Sequence, residues 1–222
     1  MSDIIRRIID ILVSLLAMIV LSPLLLLIAL AVYFTSPGGV LYRSKRTGKN
    51  ERTFTLYKFR SMVSGADKMG AFNVAHTDAR VTPVGRFLRT TKLDEFPQFI
   101  NVFIGNMTLI GPRPDILEYK DKMPEKSRNI IFSAKPGLSD WASLFTFNQY
   151  ADFAKTENPD EFHLKHIYPI KIALQEYYCK NRTLLMDLHI FVMTALRIIK
   201  IDLGFPKYVK DIIDRQTALQ SQ

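Results

Sequence analysis

The sequence predicts an α+β protein. An apolar N-terminal helix-break-helix enters a membrane and returns, and a small mixed α/β domain with interfacial amphipathic helices follows. Three observations carry this. Residues 11–34 are apolar apart from Ser14, Ser22 and Pro23. Short apolar runs bounded by turn residues, at 40–42, 54–59 and 107–110, read as strands. Longer runs at 94–103, 159–178 and 184–201 read as helices. With 222 residues and 48% hydrophobic content, the chain can bury a core and is not disordered.

The N-terminal run is long enough, at ~1.5 Å per residue, to cross a bilayer as a straight helix. Ser22-Pro23 lies at its centre. Proline lacks an N–H and clashes with the carbonyl four residues back, here that of Ile19, and Ser22 can satisfy the freed carbonyl. Arg6 and Arg7 precede the run, and Arg43, Lys45, Arg46, Lys49 and Arg52 follow it. Basic residues prefer the cytoplasmic side, and here both flanks claim it. Each arm, 11–21 and 24–34, is ~16 Å long, about one leaflet. The expectation is a re-entrant hairpin over residues 1–36 with Ser22 and Pro23 as the break. A single kinked span and a cleaved leader ending near Ala29-Leu30-Ala31 are the alternatives.

The net charge of +9 is unevenly placed: residues 43–92 hold twelve Lys and Arg against three acids, while the rest of the chain balances at eighteen each. Such a patch faces nucleic acid, anionic lipid or phosphorylated small molecules. The one cysteine, Cys179, excludes an internal disulfide framework. Of four histidines only His163 and His166 are close, and a solvated helix face explains them better than zinc.

After a turn cluster at 35–39, two strands are expected around Gly48-Lys49-Asn50. Lys58 and Arg60 alternate and so share a strand face. Residues 64–78 read as a loop with a short helical turn, and Arg86 and Arg89 share a helical face. The next stretch organises the chain. Asp94 and Glu95 open a helix whose Phe96, Phe99, Ile100 and Phe103 form one face, with Pro97 in its first turn and Gly105 at its end. A carboxylate there meets the positive end of the helix dipole, and an ordinary cap is the bland alternative. Gly111-Pro112-Arg113-Pro114 fixes an arginine between two prolines, a rigid turn or a bidentate phosphate holder. Trp141 can be core, interfacial or stacked on a base. Residues 184–201 form a core or interfacial helix rather than a span, and residues 206–222 read as a polar tail.

Taken in order, Lys58-Phe59-Arg60-Ser61-Met62, Leu93-Asp94-Glu95-Phe96-Pro97-Gln98, Gly105-Asn106-Met107, Gly111-Pro112-Arg113-Pro114 and Pro136-Gly137 resemble the monotopic phosphoglycosyl transferases, the bacterial sugar transferase family. The resemblance covers residues 1–200. It implies transfer of a phospho-sugar from a UDP-sugar to a polyprenyl phosphate such as undecaprenyl phosphate. UMP is released, Mg²⁺ is the cofactor, and the transfer is the first membrane step of glycoconjugate biosynthesis. It implies a re-entrant anchor in membrane lipid, with a transferase domain over residues 37–205 on the cytoplasmic face of the bacterial inner membrane. Asp94 would be the nucleophile and a Mg²⁺ ligand, and Glu95 its acidic partner. Lys58, Arg60, Arg89 and Arg113 would bind phosphate. No nucleic-acid partner is implied, and the oligomeric state, like the sugar, is left open. The sequence departs from the family's usual pattern at Leu138-Ser139-Asp140-Trp141-Ala142-Ser143-Leu144, where no Arg follows before Lys155. Two other classes explain part of the pattern. One is a membrane-anchored basic protein binding nucleic acid or anionic lipid, although acids beside the cations would weaken polyanion binding. The other is a metal-dependent phosphohydrolase using the same carboxylates.

Overall fold

A computed structural model describes residues 2–70, 78–147 and 157–220 of the chain; His76 and Lys155 lie outside them. The protein combines many helices with two small sheets, as the sequence predicts, behind a long apolar helix α1 (Ser2–Thr35). The apolar run passes the length and composition needed to cross a membrane. The sequence predicts two arms parted at Ser22-Pro23, whereas α1 stays helical through the pair. The local reason is visible. Pro23 cannot donate to the Ile19 carbonyl, and Ser22 Oγ donates to it instead at 2.8 Å.

Both ends of α1 are tied to the domain that follows. At the N-terminal end Arg6 Nε donates to Asp187 at 2.6 Å, and Arg7 donates to the carbonyls of Val102 and Phe103, both at 2.7 Å. One turn on, Asp10 accepts from the Leu109 N–H at 2.9 Å and the Thr108 hydroxyl at 3.0 Å. At the far end Ile28 and Val32 pack with Phe59 and Leu88. None of residues 15–27 is buried.

Strands β1 (Leu41–Thr47) and β2 (Thr53–Phe59) form an antiparallel hairpin in which Tyr42 faces Lys58 and Arg46 faces Phe54. Helix α2 (Pro83–Thr91) begins at Thr82, whose hydroxyl accepts from the Gly85 N–H at 2.9 Å, with Pro83 in its first turn. A 3-10 turn (Leu93–Glu95) and helix α3 (Gln98–Ile104) follow. Gly105 ends α3 in the left-handed region at φ +91°. The sequence predicts one helix opening at Asp94. Instead both acids stand on the preceding 3-10 turn, because Pro97 takes the cap position and helical pairing starts after it. The helix-dipole argument for Asp94 therefore does not hold.

The buried side of α3 is also unexpected. Gln98, Asn101 and Val102 point inward, at 1%, 0% and 0% exposure, while Ile100, Phe103 and Ile104 face outward. Asn101 joins the edge of β2, accepting from the Tyr57 N–H at 3.0 Å and donating to the Thr55 carbonyl at 2.7 Å.

Strand β3 (Thr108–Ile110) is buried and pairs in parallel with β4 (Gly137–Ser139). A Cβ on Gly137 would lie 2.1 Å from the Gly111 nitrogen, so the two turns can only meet through glycine. Between the strands run the short helices α4 (Leu117–Lys120) and α5 (Glu125–Ile131). Helix α6 (Trp141–Phe145) follows β4. Trp141 is fully buried in the main core, edge-on to His189 at 5.3 Å, which settles its role as packing.

The run at 159–178 resolves into α7 (Pro159–Phe162), a π turn (His163–Ile167) and α8 (Tyr168–Asn181). The π turn swings His163 inward onto Tyr119, ring centroids 5.3 Å apart, so this histidine is not on a solvated face. Helix α9 (Leu184–Ile198) buries Ile190 and Met193 and leaves Leu185, Leu188, Phe191 and Val192 exposed.

Residues 206–222 are not merely a polar tail. Helix α10 (Lys207–Gln220) packs on α8, with Val209 at 0% exposure and Tyr208, Ile212 and Ile213 against the main core. The apolar residues recur at i, i+1, i+4 and i+5, a narrow stripe within a polar composition.

Candidate active site

The site is assembled from three places in the chain. Strand β2 supplies Lys58, the end of α2 with its 3-10 turn supplies Arg89, Lys92, Asp94 and Glu95, and the turn after β3 supplies Arg113. Lys92 closes α2 with φ +59°, a left-handed conformation that costs a non-glycine residue about 1 kcal/mol. That reversal turns the chain from α2 into the 3-10 turn and so aims both carboxylates.

Glu95 is the hub. Its Oε1 accepts from Lys58 Nζ at 2.9 Å and from Arg113 Nη2. Burial pushes its carboxyl up, but Arg113, Lys58 and Lys92 outweigh that and hold it well below the usual carboxylate range. Asp94 differs in kind. It is 8% exposed, and among the described residues its carboxylate makes no hydrogen bond or salt bridge. Burial and the neighbouring Glu95 charge push its pKa up to about 6, against the pull of Lys58, Lys92 and Arg89. One acid is thus locked as an anion, and the next is a poorly neutralised carboxylate near its titration point.

Arg113 is fixed from several sides. Nη1 donates to the Leu138 carbonyl at 3.0 Å, and its backbone N–H donates to Asp140 Oδ2 at 3.0 Å. Gln175 Nε2 donates to the Arg113 carbonyl at 3.1 Å and to the same Asp140 oxygen at 2.9 Å. The other oxygen of Asp140 caps α6 through the N–H and hydroxyl of Ser143, both at 2.6 Å. The Asp140 that marks a departure from the family's usual pattern is therefore a buried brace behind Arg113.

Of the residues singled out from sequence, the structure gathers Lys58, Glu95 and Arg113 by direct contact. It also brings Arg89, buried on α2, within electrostatic reach of Asp94. Arg86, on the same helix, is exposed. Arg60 does not join this group: it is buried and its Nη2 donates to the Ser36 carbonyl, pinning the exit of α1. It lies just past the end of β2, with its backbone N–H still donating to the Val40 carbonyl at 2.9 Å, and there its side chain meets the exit of α1. Ser22 and Pro23 lie within α1, in the stretch 15–27 where no residue is buried, and Leu25 is where packing on the Phe59–Leu88 cluster begins. Sequence reasoning missed Lys92, which faces both acids and lies over the Phe147 ring at 4.9 Å. Its place two residues before Asp94 was the available signal.

Among the described residues no cluster of three metal-ligating side chains occurs. The donor set still fits Mg²⁺ bound partly by substrate, since this ion is commonly held by one or two carboxylates plus phosphates and water. Glu95 is committed to two cations, and Asp94, without a hydrogen bond or salt bridge among the described residues, is the group that would hold the ion.

The family model for bacterial sugar transferases matches residues 1–201. A UDP-N-acetylgalactosamine-undecaprenyl-phosphate N-acetylgalactosaminephosphotransferase of Aeromonas hydrophila is 36% identical over 197 residues, 88% of this chain and 44% of that protein. A UDP-glucose:undecaprenyl-phosphate glucose-1-phosphate transferase of Escherichia coli K12 is 37% identical over 165 residues, 73% of this chain and 36% of that protein. The chain thus spans less than half the length of these two relatives. It matches nearly all of a third, the exopolysaccharide production protein PSS of Rhizobium leguminosarum bv. phaseoli, at 32% identity over 204 residues, 88% of this chain and 96% of that protein.

Proposed function

The chain belongs to the bacterial sugar transferase family, and from that premise we propose that it moves a sugar 1-phosphate from a UDP-sugar to a polyprenyl phosphate through a covalent Asp94 intermediate. The observation that carries this reading is the contrast between the adjacent carboxylates, Glu95 neutralised by Lys58 and Arg113 while Asp94 is buried and, among the described residues, without a hydrogen bond or salt bridge. A carboxylate without hydrogen bonds is a better nucleophile than one already stabilised by donors. The names of the relatives, which act with undecaprenyl phosphate, support the same reaction class.

In the first step an Asp94 oxygen attacks the sugar-bearing phosphorus of the donor. A P–O bond to that phosphorus forms, the P–O bond to UMP breaks, and UMP leaves with the electron pair. In the second step a phosphate oxygen of the lipid acceptor attacks the same phosphorus, the bond to Asp94 breaks, and the carboxylate is restored. The products are UMP and a polyprenyl diphosphate sugar, with no net proton uptake required. Splitting the transfer in two lets donor and acceptor phosphates use one cationic pocket in turn. Lys58, Arg89, Lys92 and Arg113 lower the repulsion between an anionic nucleophile and a diphosphate. A bound Mg²⁺, held by Asp94 and substrate phosphates, would add positive charge against that diphosphate.

The anchor enters one leaflet and returns, with both flanks at the cytoplasmic face. Support comes from the basic residues on either side, from the attachment of both ends of α1 to one domain, and from the unburied middle at 15–27. The outward apolar sides of α3 and α9 lie at the membrane surface in the same reading. The test is a panel of UDP-sugars with undecaprenyl phosphate and Mg²⁺, following UMP and lipid-linked product. UMP and lipid diphosphate sugar in equal amounts support the reading. Free sugar phosphate without a lipid product would replace it with hydrolysis.

A further inference from the structure

Next to Glu95 lies a cavity of about 350 Å³ between α3, α6 and α9 that the two chemical steps leave without a role. One end is charged, formed by Lys92, Glu95 and Arg113. The remaining wall is largely apolar, with Phe99, Leu144, Phe191 and Ile198 in it. Asp94 is not part of the wall but is the residue beside Glu95. Phe191 and Ile198 are also 45% and 48% exposed on the outer side of α9. The cavity therefore opens onto the apolar surface that continues through Leu188 and Leu185.

The hydroxyls in the wall do not present donor hydrogens to a guest. Thr194 Oγ1 donates to the Ile190 carbonyl at 2.7 Å and pairs with Ser139 Oγ at 2.7 Å. Ser143 Oγ donates to Asp140 at 2.6 Å. A nucleoside or a sugar needs donors and acceptors in the wall; an isoprenoid needs neither. The cavity thus suits an amphiphile with an anionic head at Lys92 and Arg113 and a hydrocarbon chain leaving over α9.

We propose that this cavity holds the first isoprene units of the lipid acceptor, with its phosphate at the Lys92–Arg113 end and its chain running out across α9. This rests on the transferase reading above. It adds a location for the acceptor that lets its phosphate approach Asp94 from the Glu95 side while the chain stays in an apolar path to the membrane.

Ala195 lines the cavity on α9 and carries no charge or hydrogen-bonding side chain, so it can be enlarged without touching the acids or cations. Ala195→Trp is compared with the smaller step Ala195→Leu, which preserves the test if the larger variant does not fold. Two quantities are read in nanodiscs: the UMP burst with UDP-sugar alone, and the Kd for undecaprenyl phosphate measured without donor. The expected result is an unchanged burst with the Kd raised at least tenfold for Trp and severalfold for Leu. An unchanged Kd in a folded variant overturns the proposal. A lost burst with unchanged Kd also overturns it and assigns the cavity to the nucleotide. Absence of a burst from the wild type with every UDP-sugar would instead count against the transferase reading, and the Kd comparison would still decide the cavity.

Discussion

At the scale of residues, the two adjacent acids make opposite demands on pH. Burial and the adjacent Glu95 charge push the Asp94 carboxyl up from its ordinary 3.8 to about 6, so it favours the folded state when protonated. That contribution is fully present below the unfolded pKa and is lost as pH rises through about 6, leaving an ionised group that costs on the order of 1–3 kcal/mol at neutral pH. Asp94→Asn is therefore expected to abolish turnover while raising Tm by several degrees, measured by thermal unfolding at pH 7.5. A lowered Tm would show that the carboxylate is stabilising and contradict its unpaired state.

The same physics predicts the rate profile. The UMP burst from UDP-sugar alone avoids titration of the acceptor phosphate, and its rate should fall below pH 6 as Asp94 is protonated. Glu95→Gln removes a neighbouring negative charge and releases two cations, so the acid limb should move to lower pH even as the rate drops. An unmoved limb would detach it from Asp94.

At the scale of elements, the hairpin of β1 and β2, the buried strand β3 and the glycine end of α3 were legible because their signals are local. Alternation, turn residues and a C-terminal glycine act within a few residues of the chain. What an apolar face meets is not local. Periodicity marks Phe96, Phe99, Ile100 and Phe103 as one side of α3, and the structure turns much of that side outward while burying Gln98 and Asn101. The inversion has a cause in Asn101, whose amide completes the open edge of β2, a pairing set by distant chain. Helix α10 was missed for the converse reason, a thin apolar stripe diluted by polar neighbours.

Helix α1 carries the topology prediction. Cysteines placed at Ser2 and Ser44, in a Cys179→Ser background, should be labelled by an impermeant maleimide from the same side of sealed vesicles. Labelling from opposite faces would make α1 a true span, and the attachment of both its ends to one domain would then need another origin.

At the scale of the molecule, composition located the cationic stretch without showing its wiring. The whole cationic excess lies in residues 43–92, and the structure uses Lys58, Arg89 and Lys92 from that stretch around Asp94 and Glu95. Arg113 comes from outside it and completes the Glu95 cage. Arg60, from within it, serves the exit of α1 instead, and Asp140 braces Arg113 from behind. Such assignments depend on where strands end and which turns meet, as at Gly111 and Gly137, so residue type alone does not supply them. The arrangement joins a long apolar helix, a cluster of cations and the buried Asp94 carboxylate in a single fold.

The most direct measurement is the intact mass of the protein after incubation with a UDP-sugar and Mg²⁺ in the absence of lipid acceptor. The account predicts about one UMP released per enzyme, a gain of one phospho-sugar mass mapped by peptide fragmentation to Asp94, and loss of the adduct when undecaprenyl phosphate is added. UMP that appears only when both substrates are present, with no adduct on Asp94 under acid quench, would contradict the covalent route and leave Asp94 as a metal ligand in a direct transfer.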